Sequence, residues 1–129
     1  MSVHSENEVK CPCGREFSTQ LWDAINITED PFLKDVILNG ELNVVQCPAC
    51  GAIFYVEKLV IYHDIEQSLI IYIYPKDWEN RSEELKEKAK RDFSMAIDVF
   101  SEKERLIHYR VEVFFGMDRL VEFIHKSNE

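Results

Sequence analysis

Only 4 glycines and 4 prolines punctuate the 129 residues, which leaves little material for a flexible linker or a low-complexity segment. Length and that scarcity together point to one domain. Long apolar runs are missing as well. The longest, Leu69 to Tyr74, is far too short to cross a bilayer as a helix, and the start, MSVHSENEV, lacks the apolar stretch of a secretory leader. The expected location is therefore cytoplasmic, with no membrane partner. Basic side chains are also in short supply, 15 Lys and Arg against 24 Asp and Glu, for a net charge of -9. Binding to a phosphate backbone needs clustered Lys and Arg, which argues against a nucleic-acid role. The deficit is uneven: residues 1–78 carry 12 acidic and 5 basic side chains, residues 79–129 carry 12 and 10.

What is present is the material of a core. Hydrophobic residues make up 46% of the chain and aromatic residues 12%, a composition that folds rather than staying disordered. Residues 1–9 read as a frayed polar tail. REFSTQLWDAINI then alternates, with Phe17, Leu21, Ile25 and Ile27 on one face and Trp22 and Ala24 on the other, the pattern of a long strand or hairpin arm. Asp23 interrupts the apolar face and marks the place for a bulge. TEDPFLKDVILNG predicts a short helix, capped by Asp30, opened by Pro31 and stopped by Gly40, with Phe32, Val36 and Ile37 as its apolar face.

ELNVVQ, AIFYV, LVIYH and SLIIYIY read as strands separated at Glu57-Lys58 and at Asp64 to Gln67. Leu69 to Tyr74 is apolar on both faces, as in a strand covered from two sides. From Asn80 the period becomes helical: Leu85, Ala89, Phe93, Ala96, Ile97 and Phe100 form one face, with Asn80 and Glu83 as a capping box. RLIHYRVEVFF predicts a strand with Ile107, Tyr109, Val111, Val113 and Phe115 inward and His108, Arg110 and Glu112 outward. MDRLVEFIHK closes the chain as a helix with Met117, Leu120, Val121 and Ile124 inward.

The four cysteines fall in two similar phrases, Cys11-Pro12-Cys13-Gly14 and Cys47-Pro48-Ala49-Cys50-Gly51. In a reducing compartment thiols stay free, so paired cysteines indicate a metal site before a disulfide framework. Zinc takes four soft ligands in a tetrahedron, and two short cysteine loops from distant parts of a chain can supply them. The second phrase has the standard spacing. The first has one residue fewer and so a tighter bite, which leaves open four free thiols or a site with three good ligands and one poor one.

These stretches, with the segment Asn26-Ile27-Thr28-Glu29-Asp30-Pro31, Gly40-Glu41-Leu42-Asn43 and Tyr62-His63-Asp64 ahead of an apolar strand ending in Pro75, resemble the CpXC domain family. The resemblance is good over roughly residues 10–75 and returns from Arg110 to Glu122. It implies a zinc-ribbon-like protein of bacterial type, defined by its cysteines rather than by a known reaction. Cys11, Cys47 and Cys50 correspond to the family pattern directly, and Cys13 with a shift of one residue.

A four-cysteine zinc site is coordinatively closed, so its metal is expected to be structural. Its free energy, on the order of 10 kcal/mol in small zinc-folded peptides, rivals the net stability of a domain. A catalytic alternative would be a metal-dependent enzyme with an incomplete zinc site, one cysteine, Cys13 first, letting go of the ion, or would use His63 as base and Asp64 as its orienting acid, although no nucleophile motif accompanies them. A redox alternative would cycle the cysteine pairs, but the residues after Cys50 read as a strand and not as the helix N-terminus that lowers a thiol pKa. His4, His108 and His125 read as solvated.

The reading is an α+β domain with a mostly antiparallel sheet, helices packed on one face, and a zinc-ribbon-like site of Cys11, Cys13, Cys47 and Cys50. Residues 10–129 form it, divided into a cysteine-bearing β-rich part, 10–78, and a helix-strand-helix part, 79–129. The expected function is a non-enzymatic protein-interaction or regulatory module, with a protein partner and with self-association left open. Aromatic residues crowded at 53–74 and 109–123 would fill the core or, failing that, form the partner surface.

Overall fold

The computed structural model describes residues 2–99 and 109–127. In chain order the elements are β1 (Val3–Lys10), β2 (Glu16–Asn26), α1 (Phe32–Leu38), β3 (Val44–Gln46), β4 (Ile53–Tyr55), β5 (Val60–Asp64), β6 (Leu69–Tyr74), a 3-10 turn at Lys76–Arg81, α2 (Ser82–Val99), β7 (Arg110–Phe115) and α3 (Met117–Ser127). Five strands join in the order β1-β2-β5-β6-β7, and β3 and β4 form a separate hairpin.

The chain is α+β, but the main sheet is mixed and not mostly antiparallel. β1/β2 and β5/β6 are antiparallel, whereas β2/β5 and β6/β7 are parallel. Each parallel pair spans a connection long enough to bring the chain back to its starting end: α1 with the β3-β4 hairpin in the first case, α2 in the second. Alternation of side chains is the same in both kinds of pairing, so it carried no hint of direction.

The helices also divide between the two faces of the sheet, against the expectation of one. On one side Val60, Tyr62, Leu69, Ile71 and Ile73 pack with Leu33 and Ile37 of α1 and Leu120 and Ile124 of α3. On the other, Tyr72 and Tyr74 pack with Leu85 and Ala89 of α2, flanked by Ile61, Ile70, Val111, Val113 and Phe115. β6 supplies side chains to both cores, as its two apolar faces require. The core reading of the aromatic residues holds for Tyr62, Tyr72 and Tyr74, all buried.

Residues 3–10 are not a tail. They form the edge strand β1, paired with β2 from Lys10↔Glu16 to Val3↔Ala24. A mostly exposed, polar strand has no apolar signature, and its backbone ladder holds it in place. The register slips between Val3↔Ala24 and His4↔Trp22, which leaves Asp23 as the extra residue of a bulge, where the alternation broke. Asp23 pairs with Lys58. Burial opposes ionisation there, but the Lys58 ammonium holds the carboxyl below its ordinary value of 3.8.

α1 buries Leu33 and Ile37 and leaves Phe32 exposed, so its apolar face is turned from the predicted one, but it ends as predicted. Gly40 adopts φ 71, with Gly40 N–H donating to Ile37 C=O (3.0 Å) and Glu41 N–H to Val36 C=O (3.0 Å), a Schellman motif. Its start differs by one position: Pro31 occupies the cap, and Asp30 Oδ2 accepts from Ser2 N–H at 3.2 Å. α2 begins at Ser82, after the 3-10 turn that contains Asn80, so the Asn80 capping box does not form as predicted. Leu85, Ala89 and Phe93 are buried on its predicted face. The side chains of Ala96 and Ile97, and Phe100, Ile107 and His108, lie outside the described residues. No helix among the described residues is long and apolar enough to cross a membrane.

Ile71 is fully buried at the centre of the first core. Ile71→Ala is expected to cost about 3 kcal/mol in urea unfolding, by lost burial plus a cavity.

Candidate metal centre

Both cysteine phrases become hairpin tips. Residues 11–15 join β1 to β2, and residues 47–52 join β3 to β4. The backbone closes each loop at its base, with Cys11 N–H donating to Arg15 C=O (2.9 Å) and Cys47 N–H to Ala52 C=O (2.9 Å). Inside those bonds the loops differ by the one residue missing from the first phrase. Gly51 N–H reaches back four positions to Cys47 C=O at 3.0 Å, whereas Gly14 N–H reaches back three, to Cys11 C=O, at 2.8 Å. A tighter turn absorbs the missing residue. Gly14 and Gly51 sit at φ 98 and φ 78, where any other residue would be strained.

The two tips bring all four sulfurs together, each within 4.8 Å of the others. Cys11 Sγ lies 3.5 Å from Cys50 Sγ, and Cys13 Sγ lies 3.8 Å from Cys47 Sγ. The short pairs thus run between the two hairpins. None of the four is in a disulfide, which would need sulfurs about 2.05 Å apart. Cys11 and Cys47 are buried, Cys13 and Cys50 exposed. The four cysteines lie close enough to hold one metal ion, and four thiolates are a soft donor set suited to zinc or iron.

Backbone N–H groups prepare the sulfurs for that role. Cys13 N–H points to Cys11 Sγ at 3.5 Å and Ala49 N–H to Cys47 Sγ at 3.4 Å. At Cys47 the N–H of Cys50, against burial and aided by the N–H of Ala49, brings the thiol down to about 6. At Cys11 the N–H of Cys13 also favours the thiolate, but burial and hydrogen bonds with the thiols of Cys13, Cys50 and Cys47 outweigh it and push the group up to about 12. Cys47 thus ionises readily while Cys11 holds its proton, and because metal ligation takes the thiolate form, binding of a cation here releases protons.

A residue that spacing rules did not single out holds the two hairpins together. Asn43 is buried at 5% exposure, with φ 55, a conformation asparagine tolerates better than most residues. Its Oδ1 accepts from Trp22 N–H at 2.8 Å and its Nδ2 donates to Trp22 C=O at 3.1 Å. The side-chain amide thus pairs with β2 as a neighbouring strand would. Asn43 C=O accepts from Val56 N–H at 2.9 Å, closing the base of the β3-β4 hairpin. Nearer the sulfurs, Phe17 of β2 meets Phe54 of β4 edge to face, 6.4 Å between centroids.

Residues 9–128 match the model of the family described as CpXC protein. The chain belongs to the CpXC family. Comparison with curated proteins and with solved structures finds no significant match. In this CpXC protein the other stretches behind the resemblance serve the fold. Asn26 Oδ1 accepts from Thr28 N–H and Glu29 N–H, both at 3.1 Å, and Thr28 Oγ1 accepts from Ile65 N–H at 3.0 Å.

The His63-Asp64 pair is not arranged as base and orienting acid. The Asp64 oxygens accept from Gln67 N–H (3.2 Å) and Gln67 Nε2 (2.8 Å), a local turn, while His63 Nε2 meets Tyr109 Oη at 2.7 Å. His63 pairs with Asn26 at the far end of β2, roughly 30 Å along the strand from the cysteines. His4 and His125 are exposed as expected, with His4 Nδ1 against Gln20 Oε1 at 2.9 Å.

Two tests follow from these contacts. Asn43→Ala strips partners from two backbone groups of Trp22 and is expected to cost about 2 kcal/mol in chemical unfolding. Burial lowers the His63 pKa from 6.5, with Asp64 and Glu29 opposing. Folding then favours the neutral ring, so its stabilising effect is present above that value and declines as pH falls through 6.5 towards the lower folded pKa. His63→Gln is expected to flatten the fall in melting temperature over that window.

Proposed function

We propose that the protein is a zinc-binding, non-enzymatic interaction or regulatory module in which Cys11, Cys13, Cys47 and Cys50 hold a structural zinc ion. The observation that carries this reading is the sulfur cluster. A zinc ion with Zn–S distances of about 2.3 Å separates its sulfurs by about 3.8 Å in a tetrahedron, and the two short inter-hairpin pairs, 3.5 and 3.8 Å, lie just below and at that spacing. Four cysteines complete the coordination, so no position is left for water or substrate. When bound, the ion would supply cross-linking between the two hairpins and not Lewis-acid chemistry.

Neither hydrophobic core contains a cysteine, so the metal would act first on the hairpin tips. Around it the surface offers a contact: Ile53, the first residue of β4, is 70% exposed beside the second cysteine loop.

Cysteine-based redox chemistry is the second reading, and the exposure of Cys13 and Cys50 favours it. Against it, the residues after Cys50 enter strand β4 and not a helix.

Elemental analysis of protein purified without added zinc is expected to find one zinc per chain. In Cys50→Ser, hydrogen exchange is expected to speed up across 9–17 and 44–55 while the amides of β5 and β6 stay protected; unchanged exchange at the tips contradicts a structural metal. Titration through a redox buffer separates the second reading, because a structural site loses its zinc once on oxidation whereas a redox protein turns over repeatedly.

A further inference from the structure

A groove of about 500 Å³ opens where the β3-β4 hairpin meets α3. Its apolar lining is Leu42, Val44, Met117 and Val121, all buried or half-buried. Three carboxylates, Glu57, Asp118 and Glu122, line it as well and are exposed, and no Lys, Arg or His is among the lining residues. Among the described residues neither Asp118 nor Glu122 has an ion-pair partner. Tyr55, also in the lining, feels that field: burial first, then the charges of Glu57 and Asp118, push its phenol up to about 12.

Glu57 Oε2 accepts from Lys76 N–H at 2.9 Å, and an apolar floor under the anionic rim that remains is complementary to one kind of side chain. Arginine and lysine lay a methylene stem on apolar surface and keep the cation outside, where carboxylates pair with it. Acidic or purely apolar occupants would leave the rim repelled or desolvated without a partner. We propose that this groove is the docking site for a basic segment of a partner protein, one that presents arginine or lysine beside aliphatic residues. The proposal deepens the interaction reading above and rests on it. The groove has one wall on the hairpin that carries Cys47 and Cys50, so the metal site and the docking site share an element.

The test uses the 129-residue chain loaded with zinc and two labelled short peptides, one alternating leucine with arginine and one in which glutamate replaces every arginine. Fluorescence anisotropy is expected to detect binding of the arginine peptide alone. Amide shifts in ¹H–¹⁵N spectra are expected at 40–44, 55–57 and 116–122. The double variant Asp118→Asn/Glu122→Gln is expected to weaken binding about tenfold. Glu83→Gln/Glu87→Gln on the outer side of α2 makes the same charge change away from the groove, and is expected to leave affinity unchanged. Equal loss in both double variants, equal binding of the glutamate peptide, or no binding by either peptide overturns the proposal. Binding of the arginine peptide with shifts at another surface overturns the groove assignment and leaves the interaction reading standing.

Discussion

Four sulfurs within 4.8 Å of one another cannot all ionise unless a cation lies among them, because each thiolate raises the cost of the next. That constraint governs the cysteine end of the molecule. The N–H of Cys50 favours ionisation at Cys47, whereas at Cys11 the N–H of Cys13 is outweighed by burial and by hydrogen bonds with the other thiols. The backbone is prepared for the ionised cluster, with N–H groups aimed at two of the sulfurs and both loops closed at their bases. The loops themselves are held in place from below by Asn43 and by the Phe17–Phe54 contact, neither of which involves sulfur.

β2 connects this end to the rest. Its first half pairs only with β1 and carries the first cysteine loop outward, while Ala24 to Asn26 join β5 and the main sheet. The bulge at Asp23 falls between those two regimes. Asn43 meets β2 at Trp22, just short of where β5 pairing begins, so a side-chain amide extends the ladder past the last true strand partner. The second hairpin is in this way an insert within the connection between two parallel strands, fastened to a strand that belongs to both parts.

Much of this was legible in the residues. Period-2 alternation and β-branched runs marked β2 through β7, and the interruption at Asp23 marked the bulge. Gly40 marked the end of α1, and Leu85, Ala89 and Phe93 the buried stripe of α2. Cysteine spacing alone singled out all four sulfurs that the fold gathers. What escaped had no local signature. β1 is polar and its order comes from a partner's backbone. Strand direction and the side on which each helix packs depend on connections, although β6, apolar on both faces, already required cover on two sides. Asn43 looks like any loop asparagine until the fold sets it against Trp22.

The two cysteine loops also bear on how such chains can change length. Closing bonds at the base of each loop leave the strands in register whether three or four positions separate the cysteine carbonyl from the glycine amide that meets it. Insertion or deletion of a residue is cheap at those tips. In β6, where successive side chains enter opposite cores, the same event would turn every following side chain to the wrong side. In this fold, therefore, cysteine spacing is free to change by a residue while the count in the central strand is not.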